Sequence, residues 1–180
     1  MKTTIHIGYW IRSGMLLFAL IYFLPTKGQT VESVRERYFV LDENACEFQE
    51  FLQYLEDTGN PVLLAYEGAA LAASAACEEG PLRKLKQFNL GKHKLEKAVD
   101  LMADNIEVRF LRYAVKVKAP NILGYNDLAD DEKFVVKVLL ENAEHIDLFL
   151  YYEIIRFLLA HADLTSEERK ILTKKSNRDG

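Results

Sequence analysis

Four histidines, two cysteines and several paired carboxylates are the residues here whose types could carry chemistry. His6 lies in the leading segment, and His93, His145 and His161 fall on different predicted elements. A zinc site needs three or four converging ligands, and the chain holds no HExxH pattern. His145 and His161 are 16 residues apart. On one helix that spacing separates them by ~160°. All three read as surface or helix-end histidines. The acid runs Glu78-Glu79, Asp130-Asp131-Glu132 and Glu167-Glu168 sit at predicted helix ends. The latter two fall in first turns, where the helix dipole favours negative charge. No Gly-rich phosphate loop and no G-x-S-x-G occur. The residues therefore predict no catalytic group, no metal and no cofactor.

The most distinctive polar group is Glu67, Arg109, Arg112 and Tyr125, accompanied by Tyr66, Glu107 and Tyr113. Glu107 projects within the apolar sector of its predicted helix, near Phe110, Leu111 and Ala114. Glu67 is flanked by small and apolar residues. One reading is a polar pocket that recognises a charged partner. The other is structural: Glu107 completes a capping box, and Arg109 or Arg112 bridges Glu67 as a buried pair. Cys46 and Cys77 are the remaining candidates. Counted outward from the Gly59-Asn60 turn, they are out of step by four residues. In a straight helical pair this is an axial offset of ~6 Å. The offset disfavours a disulfide and predicts two buried free thiols, although an oxidising compartment favours pairing.

These residues must be held by helices, because helical periodicity dominates and no alternating strand pattern is found. A first helix is expected from Val31 to Glu56, with a break near Asp42–Asn44. Pro61 opens a second helix to Cys77, whose middle is almost all Ala and Gly, a surface that permits close helix approach. A third covers Leu82 to Met102, with Leu85, Phe88, Leu95, Val99 and Met102 at heptad positions. Asp104-Asn105-Ile106-Glu107 reads as a capping box opening a fourth that ends before Pro120. Helices at Asp130–Leu140 and His145–Ala160 follow, the latter the most apolar and read as central. Thr165-Ser166-Glu167-Glu168 is a second capping box, opening a short last helix. The expectation is an all-α fold of antiparallel helical hairpins, a stack of six to seven helices.

Residues 91–107 (GKHKLEKAVDLMADNIE) resemble the second half of a tetratricopeptide repeat, with Gly91, Leu95 and Ala98 in its small, large, small slots. Ala103 stands where that family's turn Pro falls, and Arg109, Arg112 and Tyr113 replace its usual Trp, Leu and Gly. The segments AYEGA at 65–69, GK at 91–92, EVRFLRY at 107–113 and LGY at 123–125 are similar to a group of uncharacterised exported helical proteins of Bacteroidota-type bacteria. That resemblance spans roughly residues 45–140. It implies an exported, tetratricopeptide-like right-handed stack and adds no catalytic residue.

Residues 1–28 read as a cleaved secretory signal: Lys2 and Arg12 precede the uncharged ten-residue run Met15–Leu24, which Pro25 ends. A membrane span needs about 20 apolar residues, twice that run. Cleavage after Gly28 leaves 29–180 as a single helical domain, consistent with its length. That segment carries 20 basic and 27 acidic residues. Residues 83–118 nevertheless hold ten Lys or Arg against four acids. An acidic exported chain excludes nucleic acid as the expected partner. The sequence predicts a periplasmic or secreted scaffold that binds a protein or peptide, with no stable membrane insertion. The alternative is a small-molecule-binding protein or enzyme with a polar pocket at Glu67, Arg109 and Arg112.

Overall fold

Caps and breakers set the ends of each helix in the computed structural model, which describes residues 29–41, 44–55, 59–141 and 143–177. The reading of 1–28 as a signal lies outside those residues. Thr30 accepts a hydrogen bond from the Ser33 N–H and opens α1 (Val31–Val40). α1 ends at Val40 and α2 is Glu47–Tyr54, two helices where one interrupted helix is expected; Asp42 and Glu43 of the expected break lie outside the described residues. Asn60 caps the Val62 N–H at 2.8 Å and Pro61 occupies the first position of α3 (Pro61–Ser74). Residues Ala75–Cys77 tighten into a 3-10 turn. Gly80, at φ 81°, supplies the left-handed backbone that a side chain disfavours before α4 (Pro81–Leu101). The remaining α-helices are α5 (Ile106–Lys118), α6 (Ala129–Glu141), α7 (Leu148–His161) and α8 (Ser166–Ser176). No strand occurs among the described residues, so the chain is all-helical.

One of the two expected capping boxes forms. Thr165 and Glu168 satisfy each other's backbone N–H groups, as the spacing requires. At α5 the cap is Asn105, one residue later than expected, and it accepts from the Val108 N–H at 3.0 Å. Glu107 is thereby freed from the cap and turns into the protein interior.

The expected central helix is also corrected. α7 packs mainly against α5, α6 and α8, touching α1 through Phe149 on Phe39, and its Leu148 and Phe149 are exposed. The Ala-rich α3 is the hub instead, touching α1, α2, α4 and α5. Its small side chains let neighbours approach from several sides, whereas bulky residues on α7 hold them off. The closest approach is Gly68 on α3 against Gly91 on α4. A Cβ on Gly68 would lie 2.9 Å from the Gly91 carbonyl oxygen, and one on Gly91 would strike the Gly68 carbonyl and the Ala72 backbone. Of the expected heptad on α4, Phe88, Leu95 and Val99 are buried, whereas Leu85 and Met102 remain exposed.

Two apolar clusters result. One joins α1–α4 around Phe51, Tyr66, Ala69 and Leu95, and includes Val108 and Leu111 of α5. The other joins α5–α8 around Phe110, Val135, Ile154 and Leu158. Phe39 packs against both.

Candidate functional site

Glu67 does not meet either arginine. Its carboxylate pairs with Lys94 at 2.9 Å, partly exposed, which overturns the expected bridge to Arg109 or Arg112. Those arginines and Lys116 stand three and four residues apart on one face of α5. All three converge on Asp131 of α6, whose side chain is fully buried. Arg112 donates to both Asp131 oxygens, at 2.9 and 2.8 Å, and Lys116 donates at 2.9 Å. Arg109 donates to Asp131 and to the Asp130 carbonyl at 3.0 Å. Arg112 also reaches Glu96 at 2.6 Å, and the Tyr125 hydroxyl donates to Glu96 at 2.6 Å. The structure therefore brings Arg109, Arg112 and Tyr125 into one network and leaves Glu67 outside it.

Burial alone would raise the Asp131 carboxyl. The hydrogen bonds and charges of Arg112 and Lys116 outweigh that penalty and hold it below the usual aspartate range. Burial, with the bond to Glu96, pushes the Tyr125 hydroxyl well up, so it stays a neutral donor. Asp131, Glu96 and Lys116 were missed as partners by sequence reasoning. The signal was present: Asp131 precedes buried Val135 by four residues and so shares its inward face.

A second buried group holds Glu107. Arg35 of α1 clamps it with two hydrogen bonds, at 2.7 and 2.9 Å, and the Tyr66 hydroxyl donates at 2.6 Å. Arg35 also lies 3.3 Å from Asp147, the cap of α7. The bond to Glu107 strengthens the Arg35 proton affinity, and burial pushes Tyr66 well above its ordinary value. Among the described residues no buried side-chain nitrogen or oxygen lacks a hydrogen-bond partner. Both networks are thus internally satisfied and aim no spare polar group at a ligand. No group of three or more His, Cys, Asp or Glu among the described residues is placed to hold a metal ion.

The concave feature lies elsewhere. Between the two apolar clusters runs a groove of about 800 Å³. Its floor carries Tyr38, Phe39, Phe48, Phe110 and Phe157. Alanines line both walls, Ala69, Ala72, Ala73 and Ala76 on one side, Ala114 and Ala160 on the other. Larger side chains at these positions would fill the space between the clusters. Titratable side chains are few: Lys84, Lys118, Arg156, His161 and Glu153. Glu153 pairs with Arg156. Ile122, 93% exposed, Lys84 and Lys118 are exposed members of the lining.

Cys46 and Cys77 form a disulfide beside this groove, with Cα atoms 5.1 Å apart. The expectation of two free thiols is overturned. Cys46 precedes α2 and Cys77 ends the 3-10 turn after α3, so neither sits within a packed α-helix. Leu55 and Asn60 have extended backbone. The count of ~1.5 Å per residue along two straight helices therefore does not apply between these cysteines.

Fold and site together define an all-helical protein with an apolar groove between two packed clusters. Compared with protein-family models, curated proteins and solved structures, the chain matches none.

Proposed function

We propose that this chain is an exported helical interaction protein that acts by binding, and that the groove is where its partner's apolar part sits. The observation that carries the reading is the division of polar from apolar. Arg109, Arg112, Tyr125 and Glu67 are each paired within the fold, with Asp131, Glu96 or Lys94, while the concave surface is lined largely by alanines and aromatic rings. Ligand sites are typically apolar clefts of ~300–1,000 Å³ with a few placed polar groups, and the groove has that character. A protein or peptide partner would lay apolar side chains on its floor. The volume equally favours a small apolar ligand.

Export rests on the charged start, apolar run and Pro25 of residues 1–28, and the Cys46–Cys77 bond suits a periplasmic or secreted setting. No helix among the described residues is long and apolar enough to cross a membrane. The finer architecture proposed is a tetratricopeptide-like stack of helical hairpins. Its support is that α3 packs on α4 and α5 on α6, the first pair joined by residues 75–80 and the second by the longer connection 119–128. The resemblance to exported helical proteins of Bacteroidota-type bacteria belongs to the same proposal.

The neutral apolar dye Nile red tests the groove on the chain beginning at Gln29. Its fluorescence should rise on binding, and Ala73→Phe with Ala160→Phe should abolish the rise. Both positions line the groove and neither is a fully buried core residue. Equal dye binding by this filled variant overturns the reading.

A further inference from the structure

The mouth of the groove is chemically unlike its floor, and the difference selects a ligand. Lys84 lies in the first turn of α4 and Lys118 is the last residue of α5. Both side chains line the groove and both are exposed, which places them on its rim. The Lys84 ammonium makes one hydrogen bond, to the Ala76 carbonyl at 3.0 Å, and an ammonium has three donors. Glu153, the one carboxylate among the described residues lining the groove, is engaged by Arg156. The carboxyl-terminal ends of α5 and α7 contribute partial charges of about −0.5 each. Two lysine charges outweigh them, so the rim formed by the described residues is net positive.

We propose that the groove binds a single-chain anionic amphiphile of the fatty-carboxylate kind, with its alkyl chain on the aromatic and alanine floor and its head group at Lys84 and Lys118. The inference rests on the groove being the binding site and goes further by naming what fills it. An extended peptide would bring backbone N–H and C=O groups that need partners, and the floor offers almost none. A helical peptide satisfies its own backbone but is ~10–12 Å across, so this volume holds only about two turns of one. An alkyl chain needs no hydrogen bonds at all. Its anionic head complements the two lysines, and nearby Ile122 and Leu85 extend the apolar lining to the rim.

The test uses the chain from Gln29 and three twelve-carbon probes below their micellar concentrations: laurate, dodecanol and dodecyltrimethylammonium. Calorimetry should show one laurate per chain, and tighter binding than either other probe. Added salt should weaken laurate binding, because the mouth is solvent-exposed. The double variant Lys84→Glu/Lys118→Glu should weaken laurate roughly tenfold more than it weakens the uncharged dodecanol. Ala73→Phe/Ala160→Phe should abolish both laurate and Nile red binding. Equal binding of all three probes overturns the anionic head group while the groove stands. Nile red binding blocked by the filled variant, with no binding of any alkyl probe, overturns the alkyl ligand alone. Laurate bound only with vesicles, or at many sites per chain, also overturns the proposal, marking a lipid surface or detergent-like association as the source. Nile red binding that the filled variant leaves intact removes the groove itself.

Discussion

Glu107 and Asp131 show what a buried carboxylate requires. Each lies on the inward face of its helix, and each is held by cations from elsewhere in the chain: Arg35 for the first, three residues of α5 for the second. Removing one partner of a buried pair costs ~3–5 kcal/mol, because the other charge is left desolvated. Arg35→Ala should therefore lower the urea midpoint sharply, and Glu67→Ala, at the partly exposed Lys94 pair, should barely move it. Equal losses would mean that burial does not set the difference. Asp131 adds a pH signature. Its depressed carboxyl contributes stability that is fully present above the unfolded aspartate value of ~3.9 and is lost as pH falls through the lower folded value. The stability gap between wild type and Asp131→Asn should hold at neutral pH and shrink only below about pH 4. A gap that closes near pH 6 contradicts this assignment. The α5 residues Arg109 and Arg112 were legible as a pair, since spacing on one helix is readable. Their partner was not, because pairing across helices depends on how α5 and α6 pack.

At the scale of the element, most helices were legible from caps and breakers: Asn60-Pro61, Gly80-Pro81, Pro120 and the Thr165 box all act where their chemistry places them. Two faults have physical causes. A D-x-x-E pattern competed with the neighbouring Asn105 for the same cap, and Asn won. Apolar content points to α7 as the central helix, whereas the hub is the helix that neighbours can approach most closely. That hub makes a sharp prediction. Gly to Ala in a helix ordinarily gains ~1 kcal/mol from propensity. At Gly91 the added methyl meets backbone atoms of Gly68 and Ala72, which cannot rotate away. Gly91→Ala should destabilise by ~1–3 kcal/mol through overpacking. Thermal melts decide it: a variant at least as stable as wild type would show that α3 and α4 separate freely.

At the scale of the whole molecule, the groove persists only if its two clusters keep their spacing without a filled core between them. Phe39 bridges them, and the Arg35 clamp joins α1 to α5 and, through Asp147, to α7. The disulfide fixes the remaining free edge. It ties the start of α2 to the end of α3, and Ala45, Phe48, Ala75 and Ala76 beside it all line the groove. The bond closes a loop with a sequence separation of 31. Loops of 15 and 100 residues give ~3 and ~4.7 kcal/mol in the chain-entropy description, so this bond is worth ~3–4 kcal/mol. Cys46→Ser/Cys77→Ser should lower stability by about that amount. Because the tie lies on the groove wall, the same variant should also bind Nile red more weakly under conditions where it remains folded by circular dichroism. The two effects are separable. A loss of stability with unchanged dye binding would make the bond a staple of the α2–α3 pair alone. Weaker binding in the folded variant would make it part of what holds the groove in shape. Thiol counting of the denatured, unreduced wild-type chain anchors both measurements: it should find no free thiol, and two would remove the premise.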